Sequence, residues 1–161
     1  MEQTERHGVY IVGYTDGTFG PSRSMTRAEA AAIFARLLAE KNGDTISTVA
    51  NTRFTDIPAH AWYSGYAKYL NNNGVTYGKS KTIFAPDDAI TRAEFTTLAV
   101  RFFDVYGDGD AEIMEQYKDF NDVSDGYWAA TYIKLPPSMA GSTAMATAPS
   151  VLTTRSTVRR L

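Results

Sequence analysis

The tetrapeptide Thr-Arg-Ala-Glu occurs at Thr26–Glu29 and again at Thr91–Glu94, and each copy heads a run with helical periodicity. Self-similarity at a fixed spacing limits a chain to stacked copies of one supersecondary unit. An offset of 65 residues also aligns Tyr10 with Val75, Gly13 with Gly78, Phe19 with Phe84, Pro21 with Pro86 and Arg36 with Arg101. At an offset of 66, FTDIPAHAWYSGYAKYL from Phe54 meets FNDVSDGYWAATYIKL from Phe120. That pairs Asp56 with Asp122, Trp62 with Trp128 and Tyr66 with Tyr132. The unit therefore reads Phe-x-Asp, a short turn, Trp, a first helix, a Gly-rich loop, Phe-x-Pro, Thr-Arg-Ala-Glu and a second helix.

Start signals place the second helices. Thr26 with Glu29, and Thr91 with Glu94, have capping-box spacing, in which the hydroxyl accepts the N3 amide and the carboxylate reaches back to the N-cap amide. Ile33, Phe34, Leu37 and Leu38 follow at helical spacing, as do Phe95, Leu98 and Phe102, with Phe103 one residue on. These patterns predict helices over Arg27–Ala39 and Arg92–Phe103. First helices are predicted over Trp62–Asn71 and Tyr127–Lys134, the earlier one stopping in NNNG at Asn71–Gly74. Short extended pieces are expected beside the Gly-rich loops, because Pro21 and Pro86 keep the preceding residue extended. The loop Gly13–Phe19 is expected to turn tightly and set Phe19 beneath a helix start. In the second copy Lys81 and Thr82 replace the Asp16-Gly17 pair.

The fold class expected is mainly α: tandem helix-loop-helix repeats. Residues 1–45 form the first copy, which starts at the loop without a first helix, and 46–112 the second. Residues 113–134 open a third, and 135–161 are expected to be a non-homologous, disordered tail. The repeat calls for a phenylalanine near residue 150 and another Thr-Arg-Ala-Glu near residue 157, and neither is there. Read one frame over, permitted codons from Met139 onward spell GWINGYGDGTFRPDN. The missing phenylalanine then falls across Pro149–Ser150, and Arg-Ala-Glu across Thr157 to Arg160. A shift of reading frame is the expectation, with a native low-complexity tail as the alternative. On either, these residues build no helix-loop-helix unit, and the Arg159-Arg160 end is no nucleic-acid patch.

Composition excludes several functions. The net charge of −2 provides no basic field for nucleic acid or anionic lipid. The chain has no cysteine, so disulfides, thiolate metal sites and cysteine nucleophiles are excluded. No apolar run reaches membrane-spanning length, so no membrane insertion is expected. Met1–Tyr14 lacks the pattern of a secretory signal, so an export signal is expected to lie outside these residues. The acidic stretch from Tyr106 to Glu112 lacks EF-hand ligand spacing and reads as a solvated turn. No metal and no cofactor are expected. His7 and His60 are the only histidines, and no serine sits in a nucleophile elbow. Glu29 and Glu94 are committed to capping, which removes them from paired-carboxylate glycosidase chemistry. The chain is therefore expected not to be an enzyme.

GYTDGTFGPSRSMTRAE, FTDIPAHAW, FAPDDAITRAE and FNDVSDGYWA together resemble the S-layer homology module over about Tyr10 to Lys134. The resemblance implies a pseudo-threefold helical spindle. It implies binding of a pyruvylated secondary cell-wall polysaccharide in grooves between modules. It also implies an extracellular place at the bacterial cell wall and a larger anchored polypeptide. A purely structural or protein-binding repeat is the alternative.

The arginine of the tetrapeptide is the residue that capping does not explain, because a cation at N1 is mildly unfavourable. A guanidinium beside free helix amides makes an anion site, so Arg27 and Arg92 are the leading ligand contacts, as the resemblance also implies. Trp62 and Trp128 either stack on sugar faces or anchor the first helix in the core. Asp56 and Asp122 either bond sugar hydroxyls or cap a helical turn. Gly13 and Gly78 either admit a ligand close to the backbone or satisfy a turn.

Overall fold

The computed structural model describes residues 15–107 and 120–134. Four helices follow in order: α1 (Arg27–Asn42), α2 (Ser64–Asn72), α3 (Arg92–Tyr106) and α4 (Ala130–Lys134). Among the described residues there is no strand, only one antiparallel bridge between Thr26 and Ala89. The protein is mainly α. The extended pieces expected beside the loops amount to that bridge; the residues before Pro21 and Pro86 are not extended but left-handed, Gly20 at φ 65° and Ala85 at φ 57°, because each sits in a tight turn. Gly13, His7, the acidic segment from residue 108 and the tail 135–161 lie outside the described residues.

Both capping boxes form. Thr26 Oγ1 accepts from the Glu29 amide at 3.1 Å, and Glu29 Oε2 accepts from the Thr26 amide at 2.7 Å. Thr91 and Glu94 repeat this at 3.2 and 2.9 Å. Each cap contributes about 1 kcal/mol. Both second helices run one turn past their expected ends. The left-handed Gly43 (φ 70°) stops α1, and the Asp44 amide donates to Ala39 O.

The first helices start later than expected, at Ser64 instead of Trp62 and at Ala130 instead of Tyr127. Two tight turns come first, with the Ala61 amide on Pro58 O and the Ser64 amide on Ala61 O. The segment from Phe120 repeats them: Tyr127 donates to Ser124 O and Ala130 to Tyr127 O. These turns place each tryptophan ahead of its helix rather than inside it.

The core is built where α1 and α2 meet the second copy's loop and α3. Ala30, Ala31 and Ala35 give α1 a low surface that lets neighbours approach, and Phe34 and Leu38 fill the space beside it. Phe34 meets Phe102 with ring centroids 5.1 Å apart and Phe95 at 5.4 Å. Phe84 lies 5.4 Å from Phe54 and is 1% exposed. Burial of such a ring is worth roughly 2–3 kcal/mol. Phe19, its repeat counterpart, is 63% exposed, which corrects the expectation that it lies beneath a helix start. The reason is local: Phe84 has the ring of Phe54 to pack on, and Phe19 has no such partner among the described residues.

Each second helix is also clasped to the first helix that follows it. Arg36 donates to Tyr66 Oη at 3.3 and 3.2 Å and lies over its ring. Arg101 does the same to Tyr132 at 3.1 and 2.8 Å.

Candidate functional site

Arg27 has a structural role. Its side chain runs from the start of α1 into the second copy and is 6% exposed. Nε donates to Phe84 O at 2.7 Å, Nη1 donates to Glu94 Oε1 at 2.9 Å, and the guanidinium lies 5.2 Å from the Phe84 ring centre. The premise of free helix amides fails at α1. The Arg27 amide donates to Asp88 O and the Ala28 amide to Pro86 O, both at 2.9 Å. The loop of the second copy thus supplies the carbonyls that the first turn of α1 lacks.

The electrostatics of the pair follow from burial. Burial lowers the Arg27 guanidinium from its ordinary value, while Glu94, Asp88 and Asp56 act to raise it. Burial alone would raise Glu94. The hydrogen bonds from the Thr91 amide and hydroxyl, with the charge of Arg27, outweigh that and hold it below the usual glutamate value. The two directions disagree about whether pairing repays desolvation. A guanidinium keeps its proton at any ordinary pH, so the Glu94 direction governs pH dependence.

Asp56 neither caps a helix nor faces solvent freely. Its carboxylate accepts from the Phe84 amide at 3.0 and 3.1 Å and from the Ala85 amide at 2.6 Å. It ties the Phe-x-Asp segment to the Phe-x-Pro segment of the same copy. Ala85 is left-handed there (φ 57°), the one such non-glycine among the described residues. Gly78 also has φ +78°, and a Cβ on it would stand 2.5 Å from both Ile83 O and Phe54 Cε1. The turn and the packing account for this glycine.

The tryptophans are different. Trp62 is 55% exposed and Trp128 57%, at equivalent positions. Neither anchors its helix in the core. Trp62 makes edge contacts with Tyr63 and Tyr66, at centroid distances of 5.4 and 6.3 Å. Trp128 sits 5.7 Å from Tyr127. Burial, then the charges of Asp87 and Asp56, raise the Tyr63 hydroxyl above its ordinary value.

Arg92 and Asp122 are exposed. Among the described residues neither repeats the contacts of its counterpart, Arg27 or Asp56. The structure therefore brings Arg27 and Asp56 together around Phe84, with Trp62 at the head of the following helix. Arg92, Asp122 and Trp128 are their counterparts by repeat position one copy on. Glu94 as the partner of Arg27, and the Arg36–Tyr66 clasp, went unread in the sequence. The clasp had a signal, since Arg36 aligns with Arg101 and Tyr66 with Tyr132.

Tandem copies, the first locked to the second by a buried arginine, define a repeat-built helical domain, and the second and third copies each present an exposed tryptophan at the same position. The family model described as "S-layer homology domain" matches residues 3–31 and 53–96. A cellulosome-anchoring protein of Acetivibrio thermocellus is 34% identical over 134 residues, covering 81% of this chain and 29% of its own. Cell surface glycoprotein 1 of the same organism is 35% identical over 136 residues, covering 80% of this chain and 6% of its own. The surface-layer 125 kDa protein of Lysinibacillus sphaericus is 34% identical over 126 residues, covering 78% and 10%. The chain belongs to the S-layer homology domain family. It spans less than a third of the length of each of these relatives.

Proposed function

We propose that this chain is a non-catalytic anchoring domain that holds a larger polypeptide to the bacterial cell surface by binding a pyruvylated secondary cell-wall polysaccharide. The observation that carries this reading is the pair of tryptophans. Burying an indole is worth more than burying most side chains, yet both copies hold theirs more than half exposed at the same position. Packing does not explain that, and a sugar face that covers the ring does. The names of the relatives, which speak of anchoring and of surface layers, support the same place in the cell.

The pyruvyl group brings a carboxylate. Arg92 is the cation offered to it, being exposed where Arg27 is occupied. A bidentate guanidinium–carboxylate contact suits that geometry. Trp62 and Trp128 take the sugar rings. Asp122, exposed one copy on from Asp56, accepts from sugar hydroxyls. Asp56, Gly78 and Arg27 hold the loop around Phe84 in place.

Titration with a pyruvylated wall disaccharide tests this. Trp62→Ala is expected to weaken binding about thirtyfold, the cost of losing an exposed aromatic contact. Arg92→Ala is expected to weaken it by about tenfold to a hundredfold, with Arg92→Lys recovering only part. Melting temperatures of all three should match the parent. Equal affinity across the series would exclude these residues as ligand contacts, and would favour a repeat that binds only other protein.

A further inference from the structure

The two ends of the described structure carry complementary halves of one repeat, and each half repeats turns that the complete copy shows. In the second copy, the Phe-x-Asp segment and the Phe-x-Pro loop hold each other, and together they cap the start of α1. Asp56 accepts from the Phe84 and Ala85 amides, and Arg27 takes Phe84 O.

Residues 15–42 hold a second loop and helix of this kind. Gly20 has φ 65° where Ala85 has φ 57°, and the Arg23 amide donates to Gly20 O as the Asp88 amide donates to Ala85 O. The turn after Phe19 is thus the same as that after Phe84, and Phe19 stands 63% exposed beside it. Residues 120–134 hold a second Phe-x-Asp segment. The Val123 amide donates to Phe120 O as the Ile57 amide does to Phe54 O, and the turns that lead into α4 repeat those that lead into α2. Asp122 is exposed on it. Arg101 clasps Tyr132 and holds this segment on α3 as Arg36 holds α2 on α1. Arg92 stands exposed at the start of α3, where Arg27 stands in α1.

The geometry points to a head-to-tail association of this chain with a second copy of itself. The loop at residues 15–23 of one molecule seats against Arg92 and Asp122 of the other. The contact repeats the one inside the chain. Asp122 accepts from the Phe19 and Gly20 amides of the second copy, Arg92 Nε donates to its Phe19 O, and Phe19 leaves solvent. The Arg92 and Ala93 amides take the carbonyls of Arg23 and Pro21, as Arg27 and Ala28 take those of Asp88 and Pro86. A second copy is the favoured occupant because every contact required of it already exists between Arg27, Asp56 and Phe84. Such an interface is heterologous, so association closes into a ring or grows as a row. Arg92 and Asp122 then serve either the second copy or the polymer, never both at once.

Sedimentation velocity on the 161-residue chain over roughly 1–100 µM tests this, a range that reports the micromolar affinities expected of such a contact. The parent chain is expected to associate as its concentration rises. Phe19→Ser removes one side of the contact and Asp122→Ala the other. Both residues are exposed, so circular dichroism should show each variant folded. Each variant alone is expected to stay monomeric, because neither has a matched pair of faces. An equimolar mixture should form dimers and stop there, since it keeps one intact pair. A parent chain that stays monomeric throughout would overturn the proposal. So would variants that associate like the parent, or a mixture that stays monomeric.

Discussion

Arg27→Ala should lower the stability of the folded chain by about 3–5 kcal/mol, the usual cost of removing one partner of a buried ion pair. The substitution deletes the donor to Phe84 O, the donor to Glu94 Oε1 and the cation above the Phe84 ring. It leaves Glu94 charged at a position where its side chain is 15% exposed. For a domain of ordinary stability this is a large fraction of the total. Urea unfolding would show it as a lower midpoint. Arg92→Ala, the same substitution in the same tetrapeptide, should stay within about 0.5 kcal/mol because its side chain is exposed. Equal stabilities for the two variants would contradict the clasp.

The acid limb follows from the same pair. Glu94 is held below its ordinary value, so it binds its proton more weakly in the folded chain than in the unfolded one. A depressed carboxylate contributes stability above its unfolded value, and that contribution is lost as the pH falls through the folded value. Stability should therefore fall as pH drops below about 4.5, the ordinary glutamate value. In Arg27→Ala this limb should shrink without vanishing, since the bonds from Thr91 remain.

Gly78→Ala is the second large effect. The left-handed conformation alone costs a β-carbon roughly 1–2 kcal/mol. Here the added carbon would also stand 2.5 Å from Ile83 O, 2.5 Å from Phe54 Cε1 and 2.9 Å from Ser80 O. Two of these are backbone atoms and the third belongs to a buried core ring, so the neighbours have little freedom to move. Overpacking adds about 1–3 kcal/mol, giving a total of about 2–5 kcal/mol. Gly17→Ala separates the terms, because Gly17 has φ +81° with nothing within 4 Å of its β-carbon position. Only the conformational cost applies there. Similar losses at both glycines would show that packing around Gly78 contributes nothing.

What the sequence makes legible here is local. The capping boxes and helix identities could be read because the atoms concerned lie three or four residues apart. The onset of α2 was misread because tryptophan and tyrosine fit a helical pattern as well as they fit the two tight turns that actually hold them. The role of Arg27 was hidden for another reason. Its partners, Phe84 and Glu94, lie 57 and 67 residues away, and no local rule reaches that far. Identical motifs also conceal different surroundings. Phe19 and Phe84 share a motif, yet one is exposed and one buried, because only Phe84 meets Phe54. Capping explained the glutamates and left their second oxygens unassigned, and one of those oxygens holds Arg27.

The most direct measurement is co-sedimentation of the folded chain with purified bacterial cell walls, before and after mild acid removes the pyruvyl ketals from the wall polymer. If the polymer is the ligand and its carboxylate meets Arg92, intact walls should pull the chain down. Stripped walls should bind it about tenfold to a hundredfold more weakly, the worth of one charge-assisted contact. Equal binding to both walls, or to neither, would contradict recognition of a pyruvylated polysaccharide.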